Sequence, residues 1–286
     1  MISHVNKLGT VRVGGSNPVR IMGILNTSPE SFYKKSISIS REKIIDTVNR
    51  MEGDGADFID VGGMSTAPYL STMISEKTET DRVVKAIKII QNATNLPISV
   101  DTCRSSVAQE ALELGVEIIN DVTGLKHDPV MLTIIERYCP SLILCAYDKK
   151  IITGNQIQAT KQLLKKSLDL AKSVKIPSSK IVLDPAIGFF REKGKNSFFT
   201  KINLNWVQRD LLILKKLRAI KLNMPLLVSV SNKSFIGKIL KKENTSDILA
   251  GSLTTEAVCV LNGADIIRTH NVAQTKEAIT TAKILS

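Results

Sequence analysis

Eight short apolar runs punctuate the chain, at residues 19–25, 57–61, 97–100, 117–119, 141–144, 180–183, 225–230 and 265–267. Each has the length of a buried strand, and polar residues follow nearly every one. They are Asn26, then Gly62-Gly63 with Ser65-Thr66, Asp101, Asn120-Asp121, Tyr147-Asp148, Asp184, Lys233, and Arg268 with His270. Between the runs, apolar residues recur at helical spacing. Ile44, Ile45, Val48 and Met51 form one face, and Gly53 and Gly55 act as stop signals. Val83, Val84, Ile87 and Ile90 form the next. Val107, Ala108, Ala111 and Leu112 follow, opened by Ser106 with Gln109 three residues on, a capping-box pattern. Later helical segments fall at 130–138, 158–174, 204–220, 246–261 and 273–285.

Repeated strand–helix units favour a parallel sheet with right-handed crossovers. Eight such units, ending on a helix with no ninth strand, predict a TIM (β/α)8 barrel. A doubly wound open sheet is the alternative. It usually carries a G-x-G-x-x-G turn after its first strand, whereas the first run here leads into Asn26-Thr27-Ser28-Pro29. The first 20 residues read as an N-terminal β-hairpin at the barrel's bottom. Val11 and Val13 alternate with Arg12, Gly14-Gly15 turns the chain, and Val19 to Ile21 resumes. The 286 residues suit one barrel domain, 1–286, rather than two domains. Two strand-to-helix loops are long and polar, 27–38 with Lys34-Lys35 at its tip and 63–75, and such loops are usually lids or binding loops.

Composition changes this picture little. No apolar stretch reaches the ~18 residues a membrane helix needs, and the start of the chain lacks a signal peptide's apolar core. A cytoplasmic protein with no membrane partner is expected. The four cysteines form no C-x-x-C pair. Cys103, beside Asp101, reads as a buried small residue, with a catalytic thiol as the sharper alternative. The net charge of +12 invites a nucleic-acid reading. However, lysines such as Lys161, Lys165, Lys166, Lys215 and Lys216 fall on helix faces or near helix ends, and aromatics make up only 4%. A solvated surface that steers an anionic small molecule is expected, and no nucleic-acid partner.

Barrels of this kind react at the C-terminal ends of their strands, so the residues after the runs carry the chemistry. Asp101 and Asp184 offer acceptors to a ring rich in N–H groups, and Lys233 can meet a ring carbonyl. Asp121 reads as a helix cap. Arg268 and His270 follow the eighth strand, where such barrels commonly hold phosphate. A heterocycle on one side and a phosphate group on the other is the implied ligand. There is no H-E-x-x-H or Cys/His cluster for zinc. Asn26 and nearby hydroxyls offer oxygens to Mg²⁺, which binds through few protein ligands plus substrate phosphates.

At these residues the chain resembles dihydropteroate synthases. The matching segments are Ile21-Met22-Gly23-Ile24-Leu25-Asn26-Thr27-Ser28-Pro29-Glu30-Ser31-Phe32, Ile59-Asp60-Val61-Gly62-Gly63-Met64-Ser65-Thr66-Ala67-Pro68 and Ile98-Ser99-Val100-Asp101-Thr102. They continue with Ile118-Ile119-Asn120-Asp121-Val122, Leu183-Asp184-Pro185-Ala186-Ile187-Gly188-Phe189, Ser231-Asn232-Lys233-Ser234-Phe235-Ile236-Gly237 and Gly263-Ala264-Asp265-Ile266-Ile267-Arg268-Thr269-His270. The resemblance implies a folate-pathway transferase. It condenses 6-hydroxymethyl-7,8-dihydropterin pyrophosphate with p-aminobenzoate or a related aryl amine, giving 7,8-dihydropteroate and pyrophosphate. By the same likeness, Asp101, Asn120, Asp184 and Lys233 hold the pterin. Asn26, Arg268 and His270 hold the pyrophosphate, with the cofactor Mg²⁺ at Asn26. Thr66, Phe189 and Ser234 border the aryl amine. The catalytic set is then Asn26, Asp101, Lys233, Arg268 and His270, and the family suggests a homodimer.

The departures from the pattern are those of a divergent, archaeal-type member. Where the family usually reads Glu-Ser-Thr-Arg-Pro-Gly, this chain has Met64, Ala67 and Tyr69 in place of the Glu, the Arg and the Gly. Asn232 stands for an Arg, and Cys145-Ala146-Tyr147 for Met-His-Met. The pterin and pyrophosphate residues survive, and the losses surround the second substrate. With two arginines gone, a carboxylate-bearing amine should bind weakly. A pterin-dependent methyltransferase or a non-catalytic pterin-binding paralogue on the same barrel are the alternatives. Arg268-Thr269-His270 counts against the first, and Ala67 with Asn232 leaves room for the second.

Overall fold

The computed structural model describes residues 6–28, 40–71 and 73–286. Two short antiparallel strands come first, β1 (Lys7–Leu8) and β2 (Val11–Arg12). The repeating units follow: β3 (Arg20–Asn26) and α1 (Arg41–Gly53), β4 (Phe58–Gly62) and α2 (Glu76–Ile90), β5 (Ile98–Asp101) and α3 (Ser105–Glu113). Next are β6 (Ile118–Asp121) and α4 (Val130–Tyr138), β7 (Ser141–Cys145) and α5 (Gln156–Ser173), and β8 (Ile181–Asp184). A short parallel pair, β9 (Phe190–Arg191) and β10 (Thr200–Lys201), is inserted before α6 (Trp206–Lys215) and α7 (Leu217–Ile220). The last two units are β11 (Leu227–Val228) with α8 (Ser234–Leu240) and α9 (Leu249–Leu261), and β12 (Ile266–Thr269) with α10 (Val272–Ile284). The large sheet runs β11-β12-β3-β4-β5-β6-β7-β8 with every neighbour parallel. A parallel bridge between Leu183 and Leu226 closes it into the (β/α)8 barrel.

Alternation along the strands sorts two cores. Ile21, Leu25, Ile59, Val61, Val100, Ile119, Leu142, Leu144, Leu183, Val228 and Ile267 face outward and pack with the helices. Met22, Phe58, Ile118, Ile143, Val182, Leu227 and Ile266 face inward and meet Leu8 and Val13 of the hairpin region. The lower barrel is therefore a sealed apolar plug. Two residues further along the same inward faces stand Ile24, Asp60, Asn120, Cys145, Asp184 and Arg268, since successive strand side chains alternate. An oily floor under a polar storey results from period two alone.

Three local readings change. The hairpin turns at Gly9-Thr10 rather than Gly14-Gly15. Gly9 has φ +56°, a left-handed conformation that favours glycine. Gly14 and Gly15, with φ +73° and +61°, instead steer the chain into β3. The α3 capping box does not form. Ser106 Oγ donates to Glu76 Oε2 at 2.8 Å and Gln109 Nε2 to Glu113 Oε1 at 2.8 Å, while the Ser105 N–H is taken by Asp128 Oδ2 at 2.8 Å. A carboxylate from the next unit supplants the local cap. The segment 204–220 breaks at Lys216, whose φ of −124° is non-helical. Most of the loop 27–38, including Lys34-Lys35, lies outside the described residues. Among the described residues no helix is long and apolar enough to cross a membrane.

Candidate active site

The strand register places the polar ends side by side. Asn26 pairs with Gly62, Gly62 with Asp101 and Asp101 with Asn120, around four consecutive strands. Gly62 makes room for Asn26, because a Cβ there would sit 3.2 Å from Asn26 Oδ1. A cavity of about 120 Å³ opens above them, lined by Asn26, Thr66, Asp101, Phe189, Lys233, Ser234, Arg268 and His270 among others. Eight of the ten sequence-derived site residues thus share one cavity. Asn120 and Asp184 do not line it; they are buried in the polar storey of the barrel.

Arg268 is the hub of this storey. Its Nε donates to Asp60 Oδ2 at 2.6 Å and its Nη2 to Asp101 Oδ2 at 2.7 Å. Asn120 Nδ2 adds longer bonds to Asp60 at 3.3 and 3.4 Å. Burial opposes the Arg268 charge, but Asp60 and Asp101 outweigh it and keep the guanidinium protonated. Burial pushes Asp101 up to about 7, with Asp60 adding to the rise and Arg268 opposing it. Lys233 is pulled down to about 8 by burial and then by Arg268. Asp184 is raised by burial, although its Oδ1 accepts the Ala186 N–H at 2.6 Å and Lys233 stands nearby. The same two effects, burial first and Arg268 next, hold His270 down to about 3, so its ring is neutral. Ser231 Oγ accepts the His270 backbone N–H at 3.2 Å and lies 3.1 Å from Nδ1. Its O–H then points to Nδ1 and leaves the ring proton on Nε2.

The loop after β8 is built to hold its shape. Arg209, fully buried, pairs with Asp210 at 3.0 Å, donates to the Pro185 carbonyl at 3.0 Å and stacks 3.5 Å from the Phe190 ring. Asp210 Oδ2 accepts the Gly188 N–H at 2.9 Å. The loop 63–75 docks on this segment: Asn196 Nδ2 donates to the Ala67 carbonyl at 2.8 Å, and the Lys195 N–H to the Pro68 carbonyl at 2.7 Å. Tyr147 O–H reaches the Ser197 carbonyl at 2.8 Å. Two positions that depart from the usual motif, Ala67 and Tyr147, therefore lie where the two loops are fastened. Asp121 is spent on a turn, accepting from Thr123 N and Oγ1 and from Leu125 N at 2.6–2.7 Å. Cys103 is buried, and burial with nearby carboxylates pushes its thiol well above the usual range. It is a buried small residue rather than a nucleophile.

The model of the "Pterin binding enzyme" family matches residues 22–270. A dihydropteroate synthase from Synechocystis sp. is 33% identical over 260 residues, 88% of this chain and 85% of that protein. The chain belongs to the dihydropteroate synthases. The likeness extends to solved structures. The dihydropteroate synthase from Clostridium difficile, crystallised in the presence of pteroic acid, superposes with a TM-score of 0.81 at 32% identity, covering 94% of this chain and 97% of that one. The Xanthomonas albilineans dihydropteroate synthase with 4-aminobenzoic acid also gives 0.81, at 26% identity, covering 94% and 93%. Within this dihydropteroate synthase two residues escape a reading of strand ends. Asp60 sits inside an apolar run, but it is two positions after Phe58 and so points inward. Arg191 ends the two-residue strand β9, too short to leave a periodic signal.

Proposed function

We propose that the chain joins 6-hydroxymethyl-7,8-dihydropterin pyrophosphate to an aryl amine, releasing pyrophosphate. What carries this reading is one cavity whose floor offers ring acceptors and whose rim offers phosphate donors, in a chain of this family. Asp101 and Asp184 accept from the N–H groups of the pterin, Asn120 supports them, and protonated Lys233 donates to the ring carbonyl. Arg268 and the Nε2–H of His270 meet the diphosphate. As the methylene C–O bond breaks, its electron pair leaves with pyrophosphate, and these donors act on the charge that develops. The cation left behind is spread over the pterin ring, near the two carboxylates. The amine nitrogen attacks the methylene carbon and loses a proton, so no protein nucleophile is required. Thr66, Phe189 and Ser234 border the amine, and docked loops would limit capture of the cation by water.

Among the described residues no cluster of three His, Cys, Asp or Glu side chains could hold a metal. Asn26 beside Gly62 nevertheless fits Mg²⁺, an ion that takes few protein oxygens and fills its sphere from phosphate and water. Bound there, it would neutralise charge on the leaving diphosphate. The reading includes a homodimer, for which exposed Val258 and Leu261 on α9 and Ile284 and Leu285 at the end of α10 offer apolar surface. It also includes a cytoplasmic setting, which suits the free thiols. The deciding experiment is pyrophosphate release from the pterin pyrophosphate with a panel of aryl amines. Amine-dependent release supports the reading, and no release with any amine overturns it.

A further inference from the structure

Two arginines usual around the amine subsite are Ala67 and Asn232 here, yet the cavity holds another. Arg191, on β9, lines it beside Tyr69, Phe189, Lys233 and Ser234. Its guanidinium lies 3.3 Å from the centroid of the Trp206 ring and 6.0 Å from that of Tyr69. Nε donates to the Gly188 carbonyl at 3.1 Å and Nη2 to Ser234 Oγ at 2.8 Å. The group is rigid before any ligand arrives.

It is also a buried cation whose nearest counter-charge, Asp210, is already committed to Arg209 and acts on it only from beyond ion-pair range. Arg104, Arg209 and Arg268 each have a carboxylate within 3.0 Å. Among the described residues, Arg191 has no carboxylate within the 4.0 Å of an ion pair. Buried charges are normally paired, so this guanidinium is set up for an anion from outside. Ser234 accepts from Arg191, which leaves its own O–H to donate. Nη1 and the second N–H of Nη2 complete a fork matched to a planar carboxylate.

We infer that Arg191, with Ser234, binds the carboxylate of a p-aminobenzoate-type amine and replaces the arginines missing at 67 and 232. This rests on the proposed synthase activity and reverses the expectation of weak p-aminobenzoate use. Trp206 holds the guanidinium plane, and two of the departures stand nearby: Tyr69, whose ring faces the guanidinium, and Tyr147, whose hydroxyl fastens the segment after β9 at Ser197.

The test compares p-aminobenzoate with its neutral isostere p-aminobenzamide in the unmodified protein, Arg191→Gln and Arg191→Lys. In Arg191→Gln the KM for p-aminobenzoate should rise about 30- to 100-fold, in line with loss of a charge-assisted pair. The KM for the amide and for the pterin pyrophosphate should move less than about threefold, and Arg191→Lys should recover part of the loss. Emission from Trp206, the chain's one tryptophan, should respond to p-aminobenzoate in the unmodified protein. Equal losses for both amines, or no loss, overturn the assignment while the synthase reading stands. A Trp206 response to p-aminobenzoate that is lost in Arg191→Gln and partly kept in Arg191→Lys, with no turnover of any amine, leaves Arg191 as the carboxylate site and removes the synthase reading. If Arg191→Gln does not fold, an Arg191→Lys variant with unchanged selectivity for the acid over the amide refutes the role.

Discussion

Replacing Asp60 by asparagine tests whether this buried carboxylate aims Arg268. The substitution keeps the shape but removes a charge that accepts from Arg268 Nε at 2.6 Å. A hydrogen bond to a charged group contributes about 1.5–3 kcal/mol. The bonds from Asn120 at 3.3–3.4 Å are too long to add much. Arg268 keeps Asp101 at 2.7 Å, so the loss stays below the ~3–5 kcal/mol of a buried pair left with no partner. Relief of repulsion between Asp60 and Asp101 offsets part of it. A destabilisation of about 2 kcal/mol follows, which at a urea slope of ~2–3 kcal/mol per M lowers the unfolding midpoint by roughly 0.7–1 M. Asp60 acts through Arg268 rather than on substrate, so kcat should fall at least tenfold while the KM for the pterin pyrophosphate moves little. Removing the like charge also lowers the Asp101 pKa and shifts the acid limb of the rate profile to lower pH. An unchanged midpoint together with an unchanged kcat refutes the hub, and an unmoved acid limb refutes the coupling to Asp101.

Three further outcomes are expected. The pH profile of kcat/KM should be a narrow bell. Asp101, raised to about 7, must ionise to accept from the ring, and Lys233, lowered to about 8, must stay protonated to donate, so a flat profile from pH 6 to 9 contradicts both roles. For stability the Asp101 sign is opposite: between its ordinary value and about 7 the folded state keeps a proton the unfolded state has lost, so its contribution declines as pH rises. Asp184→Asn should weaken pterin binding roughly 10- to 100-fold by calorimetry. Its oxygen stays with the Ala186 N–H, which turns the amide NH₂ toward ring donors at a cost of about 1–3 kcal/mol, and undiminished affinity removes Asp184 from the site. Gly62→Ala should displace the Asn26 amide, 3.2 Å from the new methyl. A Mg²⁺ titration of pyrophosphate release should then require several-fold more metal, and an identical curve argues against Asn26 as its ligand.

The barrel was legible because parallel strands buried on both faces read as unbroken apolar runs. Their ends revealed Asn26, Asp101, Asp184, Lys233 and Arg268, which the structure gathers around one cavity and its floor. The same unbroken reading hid Asp60, which only strict alternation from Phe58 distinguishes from its neighbours. Arg191 was hidden for another reason. Its setting comes from Trp206, Tyr69 and Ser234, and no local pattern brings those segments together. The turn at Gly9 was missed because a single glycine is a weaker turn signal than the Gly14-Gly15 pair, which also takes positive φ. Charge pairing such as Asp60–Arg268 likewise depends on strands that meet only when the sheet closes.

That closure has a bearing on how the molecule is made. Leu8 and Val13 pack with Ile118, Ile143, Val182, Leu227 and Ile266, and the Gly9 N–H donates to Ser141 Oγ at 3.0 Å. Residues 7–13 thus have their full set of partners only when β12, the last strand of the barrel, has been made. Contacts so distant in sequence slow folding. A polar substitution at Leu8 or Val13 would burden assembly at the base of the barrel, while the reacting groups at the opposite end, once assembled, would be untouched.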